Sequence, residues 1–242
     1  MITSNILFFD TSFENCIVIL IKGNRISYYQ DERKIRHSYK LMPLIDETLK
    51  KENLELKDID YFAVSEGPGT FTGIRISIAA IRSFAYVFNK KIITLNNLNL
   101  ALDFGAEQLM NQSFFKKNIH LYGIINSGGG MFYCSELMAE NNNFFSPVKE
   151  NFIIETEKLK NIISCKNNYL SCHINCVKEI KKLENSQNYA NISYFELTEK
   201  NCGILVNSIK KKIESCDFSD AFSLMPLYIK VSDAELNYEN KN

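Results

Sequence analysis

The sequence predicts an α/β protein built from two successive lobes. Apolar runs and amphipathic stretches in the first hundred residues follow the order β-β-β-α-β-α with a closing strand, and the second half repeats this order faintly. A length of 242 residues suits one large domain or two lobes, at roughly 100–200 residues per domain. A cleft between two such lobes is where we expect chemistry. The expected ranges are an N-terminal α/β lobe at 1–97, a C-terminal α/β lobe at 98–215, and a C-terminal tail at 216–242 that returns to the N-terminal lobe.

Three strands open the chain. Apolar residues fill 5–9 (NILFF) and 15–21 (NCIVILI), and 25–30 (RISYYQ) reads as a third strand after a turn at 22–24. Short turns between alternating apolar runs are typical of antiparallel pairs. We therefore expect a three-strand antiparallel meander.

A helix follows these strands. Leu41, Ile45 and Leu49 recur at helical spacing, and Ser38 is placed to serve as the N-cap. Pro43 costs about 3 kcal/mol in the interior of a helix. The helix is therefore expected to begin somewhat later than its apolar pattern does.

The later elements alternate in the same way. In the first half we expect a strand at 61–65, a strong helix at about 73–88 and a strand at 92–95. In the second half we expect a hairpin of 119–125 and 131–138 across Gly128–Gly130, with helices near 155–163, 175–183 and 198–214.

Charge and composition exclude several classes of protein. Lys plus Arg and Asp plus Glu both count 28, so the net charge is zero and a broadly basic nucleic-acid surface is not expected. The opening MITSNILFFD lacks the basic region of a signal peptide. The apolar run at 16–21 ends at Lys22 and is too short to span a membrane. We expect a cytoplasmic protein without a membrane partner.

The cysteines raise the question of a metal site. Seven cysteines without a secretory signal are typical of free thiols. Cys165, Cys172 and Cys176, with His173 between them, suggest a metal cluster, but the chain has no CxxC pair. We interpret them as buried or incidental thiols and expect no metal.

The stretch GPGTFTGIRI at 67–76 gathers three of the ten glycines between a strand and a helix. It does not fit the P-loop, because Ile74 stands where Lys is required, and its glycines are out of step with GxGxxG. A rigid turn that starts a helix is the simpler interpretation, since Gly permits unusual backbone angles and Thr can cap a helix. The turn and cap residues are Gly67, Pro68, Gly69, Thr70, Thr72 and Gly73.

The helix after this turn has two distinct rows. Ile74, Ile78 and Ile81 belong to an apolar stripe that suits the protein's own sheet. A second row, with Ser77, Ala80 and Ser83, consists of small residues. Small residues let another helix approach closely, so this row suits a second helix, from this chain or from a partner.

Four blocks carry a resemblance to a known family. GPGTFTGIRI closely resembles the GPGSFTGLRIG signature of the TsaB (YeaZ) family. Residues 6–12 (ILFFDTS), 37–45 (HSYKLMPLI) and 226–235 (PLYIKVSDAE) resemble three further blocks of that family, in the same order.

The resemblance implies an actin/hexokinase/Hsp70-like (ribonuclease H-like) fold of duplicated β-β-β-α-β-α lobes. It also implies a non-catalytic partner subunit in the synthesis of threonylcarbamoyladenosine at position 37 of tRNA. Such a subunit forms a heterodimer with the catalytic TsaD and recruits the small ATPase TsaE, with tRNA contacted indirectly through the complex. The contact residues that it implies are His37, Ser38, Leu41, Ile45, Phe71, Arg75, Ser77, Ala80 and Arg82.

The residues themselves favour a catalytically inactive chain. TsaD-like subunits hold a metal with an HxxxH pair, whereas Leu41 stands four residues after His37 here. Phosphate-handling relatives place Gly after the first-hairpin Asp, and no glycine follows Asp10 before Glu14. Asp10 and Glu14 therefore remain candidates for a nucleotide or metal contact, with hydrogen bonding of the turn as the simpler role for Asp10. No cofactor of its own is expected; ATP and a divalent metal are expected at the partner subunits.

The sequence departs from the family pattern at one place, and two alternative functions remain open. Asn126–Gly130 stands where the family carries an Asp-Ala-Arg turn, so whatever the arginine contacts is in doubt. An independent small-molecule kinase or ATPase on the same fold is the first alternative. The second is a self-associating protein of unrelated use, since a homodimer can form through the same helices when no partner is present.

Overall fold

The computed structural model describes residues 4–31, 33, 36–111, 119–141, 144–183 and 191–229. These residues fall into two compact units. The first unit comprises the described residues of 1–100 and 197–226, and the second comprises those of 101–196 together with 227–229.

The first unit begins with the expected β-β-β-α-β-α order. Its elements are β1 (Asn5–Asp10), β2 (Cys16–Lys22), β3 (Arg25–Asp31), α1 (His37–Lys51), β4 (Tyr61–Gly67), α2 (Phe71–Phe88) and β5 (Lys91–Asn96). The sheet order is β3-β2-β1-β4-β5. β1, β2 and β3 pair in antiparallel fashion, which confirms the meander, whereas β4 is parallel to both β1 and β5.

The second unit repeats this arrangement. After α3 (Asn97–Met110), its elements are β6 (Ile119–Gly128), β7 (Met131–Asn141), β8 (Phe144–Glu155), α4 (Thr156–Ile163), β9 (Asn168–His173), α5 (Val177–Leu183) and β10 (Asn191–Phe195). Its sheet order, β8-β7-β6-β9-β10, is the order of the first unit. The hairpin across Gly128–Gly130 is confirmed by the antiparallel pairing of β6 with β7.

The last helix belongs to the first unit. α6 (Cys202–Glu214) was expected in a lobe ending at 215, but it packs on β5 and lies with residues 1–100. The following segment pairs with the sheet edge, where the Ser219 amide donates to the Ile92 carbonyl at 2.8 Å. Leu224 is buried in the core of the same unit. Residues 230–242, and with them the second half of the PLYIKVSDAE match, lie outside the described residues.

The first unit's core lies between its sheet and the helices α1 and α2. Leu7 and Phe9 of β1 contact this core, and the alternate residues Ile6 and Phe8 are fully buried as well. A strand buried on both faces reads as a continuous apolar run, which explains the NILFF pattern.

α1 begins earlier than the sequence predicts. Its first residue is His37, and its N-cap is Arg36, whose side chain makes no capping hydrogen bond. The prediction of Ser38 as the N-cap is therefore wrong. Pro43 lies inside the helix with its ring exposed. Pro43 has no amide hydrogen to donate to the carbonyl of Tyr39, four residues earlier, so the helix lacks that one bond.

α2 also begins earlier, at Phe71 instead of residue 73. The Ile74 amide donates to the Thr70 carbonyl at 3.0 Å, so the helical bonds already start at Thr70. Thr70 is the N-cap but makes no side-chain capping bond, and Thr72 lies within the helix. The expected threonine cap is thus not formed by either side chain.

Within the described ranges, α2 is the one helix with the length and composition of a membrane span. Its Ile74, Ile78 and Ile81 side chains are buried in the first unit's own core. We interpret α2 as a core helix.

Candidate partner-binding site

The glycine stretch joins the end of β4 to α2 and lies against the turn that follows β1. The Thr70 amide donates to the Ser12 carbonyl at 2.7 Å. The Thr11 hydroxyl donates to the Gly73 carbonyl at 2.6 Å, and both Thr11 and Ser12 are fully buried. The turn after β1 therefore fixes the first turn of α2 through two hydrogen bonds, of which the one from Thr11 is buried.

Two glycines are required by this close approach. A Cβ atom at Gly73 would lie 1.9 Å from the Thr11 carbonyl oxygen, and one at Gly69 would lie 2.7 Å from the Ser12 carbonyl oxygen. Real Cβ atoms do not approach backbone this closely. Glycine in place of alanine costs a helix about 1 kcal/mol, and this contact explains why glycine is needed at Gly73. The junction therefore sets the position of the helix through close backbone packing.

Asp10 lies at the end of β1 and is buried. Its carboxylate accepts hydrogen bonds from the Ser12 amide, at 2.7 Å, and from the Ser12 hydroxyl. Burial raises the pKa of Asp10, although the Ser12 hydrogen bonds oppose that shift. Asp10 therefore holds its own turn, whereas Glu14 lies exposed four residues later.

His37 and two further groups surround the N-terminal end of α1. His37 is half-buried; burial lowers its pKa, and the nearby Lys40 charge lowers it further. Lys40 is buried and its ammonium donates to the Asp31 carbonyl at 3.3 Å. In the part of the chain that the structure describes, no three His, Cys, Asp or Glu side chains form a group that could hold a metal.

A groove runs between α1 and α2 on the surface of the first unit. Its volume is about 370 Å³. The lining residues are Ser38, Leu41, Met42, Ile76, Ala79, Ala80, Ser83 and Phe84. All eight are uncharged, four are apolar and larger than serine or alanine, and Ala79 and Ser83 leave room for an incoming side chain. Such a surface suits an apolar ridge of another helix.

Some of the residues implied as partner contacts line the groove and others do not. Ser38, Leu41 and Ala80 line the groove. Ser77 and Ile45 do not line it, and both are buried within the first unit; the Ser77 hydroxyl donates to the Ile74 carbonyl. Their place in the interface stays a prediction.

Three charged or aromatic residues of the implied set lie on the helices outside the groove. Phe71 is exposed and lies under the Arg75 guanidinium, 3.6 Å from its ring centroid. Arg82 instead contacts its own chain, donating from Nε to the Ala221 carbonyl at 2.7 Å and from Nη2 to the Phe222 carbonyl at 3.1 Å. Arg82 thus anchors residues 221–222 by hydrogen bonds, and the sequence did not predict this contact.

Several surface residues of this site were missed by the sequence analysis. Tyr39 and Met42 of α1 are exposed, and Ile76 and Ala79 of α2 line the groove. Their signal in the sequence is the presence of apolar residues on the helix face opposite the buried stripe.

The second unit's hairpin forms a different kind of contact. Asn126 and Asn175 form an amide pair. The backbone amide of Asn126 donates to Asn175 Oδ1, and Asn175 Nδ2 donates to the backbone carbonyl of Asn126, both at 3.2 Å. Gly128, Gly129 and Gly130 all have positive φ, as a tight hairpin requires. The segment that replaces the Asp-Ala-Arg turn is therefore a structural hairpin.

The cysteines are free thiols, as expected. Cys172 and Cys176 are buried, whereas Cys165 is exposed. Burial raises the pKa of the Cys176 thiol to about 12 and lowers the pKa of His173 to about 4. His173 Nδ1 accepts from the Asn175 amide at 3.2 Å, so this histidine helps to hold the turn after β9.

The repeated sheet order has the topology of the predicted actin/hexokinase-like fold. Two solved structures share this fold across nearly the whole chain. A Pseudomonas aeruginosa protein with similarity to peptidase YeaZ has a TM-score of 0.71 and 16% identity, over 94% of this chain and 100% of that one. YeaZ from Pseudomonas aeruginosa has a TM-score of 0.69 and 16% identity, over 93% and 99%. At this identity the likeness concerns the fold alone.

Sequence relatives define the family. A tRNA threonylcarbamoyladenosine biosynthesis protein TsaB from Buchnera aphidicola of Schizaphis graminum is 30% identical over 64% of this chain and 70% of its own length. The TsaB of Buchnera aphidicola of Baizongia pistaciae is 35% identical, over 46% of this chain and only about half of its own length (49%). The Escherichia coli K12 TsaB is 24% identical, over 63% of each chain. The chain belongs to the TsaB (YeaZ) family.

A further match concerns the first unit's helices. Residues 31–109 match a family model described as TsaD, tRNA N6-adenosine threonylcarbamoyltransferase. This range contains both α1 and α2. The helices that form the groove are therefore similar in sequence to those of the transferase family.

Proposed function

We propose that this chain is the non-catalytic partner subunit of the complex that makes threonylcarbamoyladenosine at position 37 of tRNA. The observation that carries the proposal is the uncharged groove between α1 and α2 in a chain of the TsaB family. The occupant of the groove is a TsaD-type transferase, with which the chain forms a heterodimer. The complex then recruits a TsaE-type ATPase and works on tRNA in the cytoplasm.

The chemistry of the groove supports a protein partner. An apolar lining is supplied by Leu41, Met42 and Phe84. The small side chains of Ala79 and Ser83 allow a partner to approach α2 closely. Burying apolar area of this kind stabilises a complex by about 25 cal/mol per Å² before the costs of association. We expect a helix of the transferase to bind in the groove, because helices pack by placing ridges of side chains into such grooves.

The same structure supports assigning the reaction to the partner. Asp10, the carboxylate at the first hairpin, is committed to two hydrogen bonds from Ser12. The glycine junction is filled by the backbone of Thr11 and Ser12. ATP and a divalent metal therefore belong to the partner subunits, and tRNA is contacted through the assembled complex.

A substitution in the groove tests the proposal. Ala79 is exposed, so Ala79→Arg places a charge in the groove without disturbing the core; Ala80 is a poorer choice because it is buried there. We expect calorimetry with a purified TsaD-type partner to show binding at least about tenfold weaker than for the wild-type chain. Val148→Arg, at an exposed position of β8, is the matched control and should bind normally.

Two results would overturn the proposal. One is a wild-type chain that does not bind a cognate TsaD-type transferase. The other is an Ala79→Arg chain that remains folded and binds with unchanged affinity. An independent kinase or ATPase makes the opposite prediction, since ATP with magnesium at 100 times its Kd would stabilise the isolated chain by about 2.7 kcal/mol. We expect no such shift in thermal unfolding.

A further inference from the structure

A second apolar surface lies beyond the groove, at the C-terminal end of α2. Tyr86, Val87, Phe222 and Met225 are between 63% and 69% exposed. These four residues are called the α2-end patch below. Large apolar side chains that cluster on a surface mark sites of protein contact.

The α2-end patch continues the face of α2 that borders the groove. Ile76, Ala79, Ser83 and Val87 follow one another at spacings of three and four residues, which places them on one side of a helix. The first three line the groove and Val87 belongs to the patch. One partner lying along α2 would therefore contact both.

The α2-end patch is fixed in position by the chain itself. Arg82 holds residues 221 and 222 with two hydrogen bonds to their carbonyls. The rings of Tyr86 and Phe222 meet edge to face, with their centroids 5.3 Å apart. Leu224 is buried in the core on the other side of this segment. A surface ordered before binding loses less conformational entropy when the partner arrives.

The groove alone is smaller than a typical protein–protein interface. Eight residues line it. Specific interfaces use about 20–30 residues on each side. A partner held in the groove must therefore cover neighbouring surface, and the α2-end patch is exposed apolar surface on the same helix. Tyr and other aromatic residues are also the types that contribute most at interfaces.

We propose that the α2-end patch is the second half of the surface that binds the TsaD-type transferase. The inference rests on the proposed function. The partner is expected to lie along α2 from the groove to Val87 and to contact Phe222 and Met225 with an apolar surface of its own. Residues 221–225 thus contribute to recognition although they follow α2 by more than 130 residues in sequence.

Charge substitutions in the patch test this inference separately from the groove. Val87→Asp and Phe222→Asp should each weaken binding of the purified transferase at least about tenfold in calorimetry. Val148→Asp is the matched control, because Val148 is 51% exposed and lies on β8 of the second unit. Urea unfolding of each variant should remain close to that of the wild-type chain, since these side chains are exposed.

The outcomes distinguish the two proposals. If Ala79→Arg weakens binding while both patch variants bind normally, the partner occupies the groove alone and this inference is wrong. The inference is equally wrong if light scattering shows that the patch variants lose only self-association of the chain and keep the affinity for the transferase. If the wild-type chain does not bind the transferase at all, the proposed function fails as well.

Discussion

The two units share one sheet order but differ in the helices that cover it. α1 and α2 have 15 and 18 residues, whereas α4 and α5, which occupy the same places in the second unit, have 8 and 7. At 1.5 Å per residue, α2 is about 27 Å long and α5 about 10 Å. Only the longer helices offer a continuous face on which a partner helix can lie. The two units thus share the sheet order and differ in the length of the helices that cover it.

The two units also differ in how the end of their first strand is held. In the first unit, the turn after β1 contacts the start of α2 through backbone, and glycines allow the approach. In the second unit, the end of β6 contacts the turn after β9 through the Asn126–Asn175 amide pair. Both junctions join the first strand of a unit to the segment after its fourth strand. Close backbone packing and a surface amide pair should differ greatly in what their loss costs.

The largest expected effect comes from filling the backbone junction. Gly73→Ala places a Cβ 1.9 Å from the Thr11 carbonyl oxygen, and a backbone atom cannot move aside as a flexible side chain does. We expect the free energy of unfolding to fall by about 3 kcal/mol or more. That is a large part of the 5–15 kcal/mol typical of a folded protein. Urea unfolding followed by circular dichroism measures the loss.

A second glycine of the chain provides the control. Gly203 lies in α6, and a Cβ there would meet nothing within 4 Å. Gly203→Ala should therefore stabilise the chain, by about 0.5–1 kcal/mol, because alanine is the better helix former. If Gly73→Ala were as stable as Gly203→Ala, the close approach of the β1 turn would not be the reason for the glycine.

An intermediate effect is expected at Asp10. Asp10→Ala leaves the Ser12 amide and hydroxyl without their shared acceptor in a buried site. The expected loss is about 1–3 kcal/mol in the free energy of unfolding. Asp10→Asn keeps an acceptor oxygen for both donors and should lose less. If the alanine and asparagine variants were equally stable, the hydrogen bonds to Ser12 would contribute nothing.

The pH dependence sharpens the same prediction. Burial raises the folded-state pKa of Asp10 above the usual 3.8, so the folded protein holds this proton more tightly than the unfolded chain. The stability from this group is then greatest below pH 3.8 and is lost as pH rises through the folded pKa. Asp10→Asn cannot ionise. A plot of its unfolding free energy against pH should therefore lack this decline, and an identical plot for both chains would contradict the assignment.

The sequence predicted the strands of the first unit better than the starts of its helices. Apolar runs such as NILFF fix β1 because a strand buried on both faces has few polar residues. The start of α1 was misplaced because Ser38 matches a capping residue, whereas the cap is set by the backbone at Arg36. Helix ends depend on tertiary contacts that a local pattern does not contain.

The candidate site was predicted in part for a similar reason. Leu41 belongs to a recognisable motif and Ala80 to the row of small residues, and both line the groove. Ser77 was chosen for its small size, yet its face of α2 points into the core. The hydrogen bonds from Arg82 to residues 221–222 join positions about 140 apart in the chain, and a local sequence pattern cannot predict such a contact.

The smallest effect is expected at the amide pair of the second unit. Asn175→Ala removes the two hydrogen bonds that its side chain makes with the Asn126 backbone. Asn126→Ala removes the bond that its side chain donates to the Asn175 carbonyl and the bond that it accepts from the Gly128 amide. All of these bonds lie near the surface, where water can replace the lost partner. Each should lower the free energy of unfolding by about 1 kcal/mol. Because the two side chains serve one contact, the double variant should lose clearly less than the sum of the two single losses, by about 0.5 kcal/mol or more. Strict additivity would mean that the two amides act separately, and that the second unit holds its first strand by other contacts, such as the approach of Cys176 Sγ to the Ile124 carbonyl at 3.5 Å.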